Sequence, residues 1–207
     1  MKADSSSLFN SSRSTASDFN EQPPVFIRAA RLEDIPTLAS ILTDSFHPPR
    51  GLMYFMYPVY RLGVCEDLRG RLRSRSSHYN CLVAIACLGT PEVQNNVIVG
   101  TVELSVRSGY SAYADRPASG PYIANLAVDS SYRRKGIARK LLLKCEQVAR
   151  NWGFSELSLH VLEDNDRARK LYLTSGYQLI SAESGFGNWF FNNPKRLLLS
   201  KKIKDRS

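Results

Sequence analysis

Between a turn and a helix the chain places three consecutive cations and then a glycine: Arg133, Arg134, Lys135 and Gly136, within AVDSSYRRKGIARKLLLKCEQVARNWGF (Ala127 to Phe154). Like charges repel and glycine weakens a helix, so this composition needs a reason. A helix start exposes N–H groups that have no partner inside the helix, and the aligned peptide dipoles give that end a partial positive charge. A phosphate or pyrophosphate is the natural guest. Gly136 lets backbone approach such a group with no Cβ in the way, Ala138 keeps the next contact small, and Arg133 to Lys135 add charge around it. A solvated basic turn ahead of an ordinary amphipathic helix is the alternative these residues leave open. Neither a P-loop nor a Rossmann dinucleotide site is supported, since GxxxxGK(S/T) is absent and one glycine fails GxGxxG.

The elements around this turn follow from periodicity. Ile137, Leu141, Cys145, Val148 and Trp152 recur at spacings of three and four, which predicts a helix that Gly153 stops. PYIANLAV leads into the turn as a strand, SELSLHVLED follows the helix as another, and NDRARKLYLTSG is a short helix with Asn165 near its start and Gly176 at its end. Upstream, VFIRAA reads as a first strand and LEDIPTLASILTDSF as a first helix, with Leu38, Ile41, Leu42 and Phe46 on one face. GLMYFMYPVYRLGVCEDLRGRLRSR reads as helical but interrupted by Pro58. YNCLVAIACL and NVIVGTVELSV are strands joined by a loop from Gly89 to Asn96, and Ser108 to Gly120 forms a long loop of a length more often functional than merely connecting. YQLIS and KRLLLSKKI supply the last strands. The sum is an α+β domain: a largely antiparallel sheet with a strand–helix–strand unit in its middle.

Arg133 to Ala138 reads R-x-x-G-x-A, and NDRARKLYLTSGY supplies Asn165, Ala168, Tyr172, Gly176 and Tyr177, with a strand between the two. In this order they resemble the pyrophosphate-binding R/Q-x-x-G-x-G/A motif and the N-x-x-A-x-x-x-Y-x-x-x-G-F segment of the GCN5-related N-acetyltransferases, the GNAT family. The resemblance spans roughly Val25 to Ile203 and is clearest from Tyr122 to Tyr177. Ala138 stands for the commoner glycine and Tyr177 for phenylalanine, and neither change puts the cofactor in doubt. The overall pattern also resembles the plastid-type and cyanobacterial branch of the family.

What the resemblance implies is acetyl transfer from acetyl-CoA to an amine, on a mostly antiparallel central sheet flanked by helices. The strands YIANLAV and SELSLHV would splay apart to hold the pantetheine, pairing it with backbone groups of Leu126, Ala127 and Val128. Backbone N–H groups of Arg134, Lys135, Gly136, Ile137, Ala138 and Arg139 would hold the pyrophosphate, with Asn165, Asp166 and Arg167 contacting the cosubstrate from the last helix. Tyr172 would also touch it and, by family position, donate to the departing thiolate, its unperturbed pKa of about 10 set against about 8.5 for a thiol. An N–H near Leu126 would stabilise the oxyanion. Tyr122 and His160 resemble the pair by which some N-terminal amine acetyltransferases deprotonate substrate through water, and histidine has the pKa for that task. A tyrosine and a histidine simply packed on a sheet face remain the alternative. Glu103 is the rival base, with an exposed structural glutamate as the plain reading.

Bulk properties narrow the partners. The chain has 207 residues, 43% hydrophobic and 23% charged, which suits one soluble domain; no apolar run reaches the roughly 18 residues of a membrane span. Residues 1–24, rich in Ser and Asn, read as a disordered leader before a domain over 25–207. No secretory signal is evident, and Asp4, Asp18 and Glu21 are unfavourable for a transit peptide. A cytoplasmic location is expected, with the plastid stroma as the alternative.

The net charge of +9 fits an anionic partner. It points away from cationic small amines such as polyamines and towards a protein or peptide amine, N-terminal α-amines first and lysine ε-amines second. The runs Arg69, Arg71, Arg73, Arg75 and Lys195 to Arg206 read as solvated faces, and the aromatic stretch GLMYFMYPVYRLG as either core or part of a peptide groove. No RNP-like motif or zinc spacing supports nucleic-acid binding or a metal. A module that retains CoA without turnover is a further possibility, against which the intact Tyr172 argues. Four cysteines without CxxC pairing read as reduced thiols, and a monomer or homodimer is expected.

Overall fold

The computed structural model describes residues 23–46, 56–74, 76–88, 95–108, 119–183 and 194–203. Its strands are β1 (Val25–Ala29), β2 (Tyr79–Leu88), β3 (Asn95–Ser108), β4 (Ser119–Val128), β5 (Glu156–Leu162), β6 (Gln178–Glu183) and β7 (Arg196–Lys202). The helices are α1 (Ile35–Phe46), α2 (Tyr57–Arg73), α3 (Ile137–Asn151) and α4 (Asp166–Thr174). The strands form one sheet in the order β1-β2-β3-β4-β5-β7-β6. Every neighbouring pair is antiparallel except β4 and β5, which are parallel and joined through α3. This is the α+β architecture expected from the sequence.

The layers explain the sequence of β2. Cys81, Val83 and Ile85 point to one face and Leu82, Ala84 and Ala86 to the other, and all six are buried. A strand covered on both faces reads as a continuous apolar run and not as an alternating one. On one face lie Ile35, Leu38, Ala39, Ile41 and Leu42 of α1 and Leu68 of α2. On the other lie Ile137, Leu141, Leu142, Cys145 and Ala149 of α3. Each buried leucine or isoleucine contributes roughly 1.5–3 kcal/mol. Gly100 on β3 permits this packing, because a Cβ there would meet the Ala127 carbonyl at 3.0 Å and Leu141 at 3.4 Å.

Several expectations need correction. Phe46 is 52% exposed, since the buried stripe of α1 ends at Thr43. Pro58 does not interrupt a helix; it lies in the first turn of α2, where a missing N–H costs nothing. β3 begins at Asn95, earlier than the expected loop allowed. Arg71 and Lys201 are not part of solvated faces. Arg71 reaches Glu103 at 3.2 Å, and Lys201 reaches the buried Glu146 at 2.6 Å.

Cys65, Cys81, Cys87 and Cys145 are free thiols, and burial pushes Cys81 up to about 12 and raises Cys145 further. No helix among the described residues is long and apolar enough to cross a membrane. The leader apart from Pro23 and Pro24, the loop at 89–94, most of the loop at 108–120, the first part of the aromatic stretch and the tail beyond Ile203 lie outside the described residues.

Candidate active site

β4 ends at Val128, and Asp129 caps a 3-10 turn at Ser130–Tyr132, its Oδ1 accepting from the Ser131 N–H at 2.9 Å. The chain then turns into α3 through two residues of positive φ, Arg134 at +65° and Gly136 at +74°. Within the protein, space for a Cβ at Gly136 is open, and its left-handed backbone is one that glycine adopts without strain. No side chain caps α3. Among the described residues the N–H groups from Arg134 to Arg139 find no acceptor in the protein; the first bond back to the turn is Lys140 N–H to the Gly136 carbonyl, at 3.1 Å.

These open amides converge on one helix end, with exposed Arg134, Lys135 and Arg139 beside them. The arrangement fits a pyrophosphate, with Ala138 half-buried and Ile137 anchored in the core. Arg133 departs from expectation. Its Nε donates to the Val128 carbonyl at 3.0 Å and its guanidinium to Ser45 Oγ at 3.4 Å, so it braces the turn instead of lying free beside an anion. That bond also occupies the Val128 carbonyl, one of the groups expected to pair with the pantetheine.

β4 and β5 pair only at Tyr122 with Ser158 and Ile123 with Leu159. Beyond Ile123 the two parallel strands part, which leaves a cleft along Ala124–Val128 that a pantetheine could enter as an extra strand. A bulge sits in the same stretch: between Thr101, opposite Ala127, and Glu103, opposite Ala124, Val102 faces both Asn125 and Leu126. Asn125 has φ +51°. A bulge of this kind leaves a backbone group without its ladder partner and turns it out of the sheet. The sequence carried a faint signal for it, because asparagine is depleted in strands and enriched in the left-handed region.

Tyr122 of β4 and His160 of β5 meet at the point where the strands part. The Tyr122 hydroxyl and His160 Nδ1 are 2.9 Å apart, both residues are half-buried, and the Arg107 guanidinium lies 3.8 Å from the centroid of the Tyr122 ring. Tyr172 of α4 is 8% exposed, and its ring packs 5.8 Å from that of Tyr177. Burial, aided by the nearby Tyr122 phenol and the Cys145 thiol, pushes Tyr172 up to about 12. The match to a thiol is therefore looser than the unperturbed value of about 10 suggested. Asn165 caps α4, its Oδ1 accepting from the Ala168 N–H at 3.1 Å, while Asp166 and Arg167 stand exposed on the first turn.

Glu103, the rival base, is enclosed and not exposed. It is 3% exposed; its carboxylate accepts from Asn125 Nδ2 at 2.7 Å and from the Tyr79 hydroxyl at 2.8 Å, and pairs with Arg71. Sequence reasoning missed Asn125 and Arg107. The partners of both lie on other strands, and only the register brings them together.

A family model described as the acetyltransferase (GNAT) family matches residues 52–177. The chain is 29% identical over 175 residues to GCN5-related N-acetyltransferase 10, chloroplastic, of Arabidopsis thaliana, covering 83% of this chain and 68% of that one. It is 31% identical over 121 residues to thialysine N-epsilon-acetyltransferase of Bos taurus, covering 58% of this chain and 68% of that one. The chain thus spans about two thirds of the length of these curated relatives. Among solved structures it resembles PaiA N-acetyltransferase from Thermoplasma acidophilum in complex with coenzyme A, with a TM-score of 0.60, 20% identity, and coverage of 86% of this chain and 99% of that one. That likeness speaks to the fold, and the family match speaks to the chemistry: the chain belongs to the acetyltransferase (GNAT) family and is an N-acetyltransferase that takes acetyl-CoA as its cosubstrate.

Proposed function

We propose that the acceptor is a protein or peptide amine, an N-terminal α-amine first and a lysine ε-amine second. The observation that carries this reading is the hydrogen-bonded pair of Tyr122 and His160 where β4 and β5 separate. A protonated amine must lose a proton before it attacks a thioester, and a tyrosine and histidine in contact form a relay that can take that proton through a water. The bulged segment at Asn125–Leu126 supplies an N–H for the oxyanion. The open helix start at Arg134–Arg139 holds the pyrophosphate, and Tyr172 donates a hydrogen bond to the sulfur as the C–S bond breaks.

The basic surface and the chloroplastic relative support a protein substrate in the plastid stroma over the cytoplasm. A second reading, a small amine acceptor, draws on the relative named for thialysine. The pair is tested with Tyr122→Phe, His160→Gln and the double variant on a free-α-amine peptide. Each single change is expected to lower kcat/KM by about 10²- to 10⁴-fold, and the double change by little more than the larger single one. Independent, additive losses would mean that the two residues do not act as a unit.

A further inference from the structure

The buried carboxylate of Glu103 on β3 joins side chains from three other elements. Asn125 of the bulge donates to Oε1 at 2.7 Å, Tyr79 at the start of β2 donates to Oε2 at 2.8 Å, and Arg71 of α2 pairs with the same oxygen at 3.2 Å. Burial and the Glu103 charge raise the Tyr79 phenol, which keeps it a donor. An L-residue in the left-handed region is held there only at a cost, which asparagine bears better than most when its side chain has a fixed partner. Glu103 supplies that partner.

We propose that Glu103 is a positioning residue that acts through Asn125: by fixing the left-handed backbone of the bulge it aims the Leu126 N–H into the cleft between β4 and β5. In this arrangement the acceptor amine does not reach Glu103, whose carboxylate is 3% exposed with both oxygens engaged. This inference rests on the reading above, in which the bulge supplies the oxyanion donor. Arg71 and Tyr79 belong to the device because they fix the carboxylate from α2 and β2, so the backbone of the bulge is tied to elements well outside the cleft.

The test uses Glu103→Gln, Asn125→Ala, Asn125→Gly and the pair Glu103→Gln with Asn125→Gly in the full chain. Glu103→Gln and Asn125→Ala are expected to lower kcat by about 10- to 100-fold, with KM for acetyl-CoA changed by no more than about twofold and the shape of the pH–rate profile unaltered. Asn125→Gly keeps a backbone that enters positive φ unaided and is expected to lose less rate than Asn125→Ala, and added to Glu103→Gln it should restore most of the rate that change removes. Loss of one limb of the pH profile in Glu103→Gln, with no recovery on adding Asn125→Gly, would make Glu103 the base and overturn the proposal.

A second measurement needs no acceptor. In amide NMR of the wild type, Asn125 should show a left-handed backbone and Leu126 should shift on addition of acetyl-CoA, and both signatures should vanish in Glu103→Gln. Their persistence in that variant would overturn the proposal. Their loss, in an enzyme that acetylates no peptide, would leave the positioning role standing and count against the acceptor reading alone.

Discussion

Replacing Tyr172 by phenylalanine removes the one hydroxyl that the proposed function sets beside the departing sulfur. The ring stays buried against Tyr177, and among the described residues the hydroxyl has no hydrogen-bond partner, so the melting temperature should move by no more than about 2 °C. With the phenol near 12 and a thiol near 8.5, outright transfer of the proton to a free thiolate is uphill by about 5 kcal/mol. On the proposed mechanism Tyr172 therefore acts as a hydrogen-bond donor to developing charge, a contact of about 1.5–3 kcal/mol. Tyr172→Phe should lower kcat by about 10- to 150-fold with acetyl-CoA affinity unchanged, as measured by thiol release and by direct titration of the cosubstrate. Because the hydroxyl stays protonated, wild type and variant should share the same profile below about pH 10. An unchanged kcat, or a loss confined to KM, would refute this role.

Two further outcomes follow from the same geometry. Gly136→Ala places a Cβ in the left-handed region at a cost of about 1–2 kcal/mol, so the affinity for acetyl-CoA, read by calorimetric titration, should weaken about 5- to 30-fold with little change in kcat. Asp34 is 5% exposed and accepts from Arg28 at 2.6 and 2.9 Å and from the Arg31 N–H at 2.7 Å. Burial works to raise its pKa, but the Arg28 hydrogen bonds, the Arg31 amide and their charges together hold it below the ordinary carboxylate value. Its stabilisation is then fully present above the unfolded value of about 3.9 and is lost as pH falls through the lower folded value. Asp34→Asn should destabilise by about 3 kcal/mol at pH 7, lowering the melting temperature by about 6–12 °C, and the gap from wild type should close in acid.

The helix start was legible in the sequence because its signals are local: Gly136, the cations before it, and the three-and-four spacing from Ile137 to Trp152 all lie within one short segment. The apolar run of β2 was equally plain as a strand, and its continuity is what burial on both faces requires. What stayed hidden depends on register. Glu103 and Asn125 lie 22 positions apart and meet only because β3 and β4 pair with a one-residue bulge between them. Nothing local distinguishes a glutamate that reaches solvent from one enclosed by Arg71, Tyr79 and Asn125. Arg71 was read as solvated for the same reason, and Phe46 as sharing the apolar face of its helix because a helical period continues past the point where the sheet stops covering it.

Thiol release from acetyl-CoA by the wild-type enzyme, against matched peptides with a free α-amine or with a blocked α-amine and an internal lysine, and against spermidine, decides which amine is the acceptor. Turnover is expected on the free α-amines, with lysine slower and spermidine slowest. Turnover on spermidine alone, or none on any amine while acetyl-CoA still binds, would contradict the proposed acceptor.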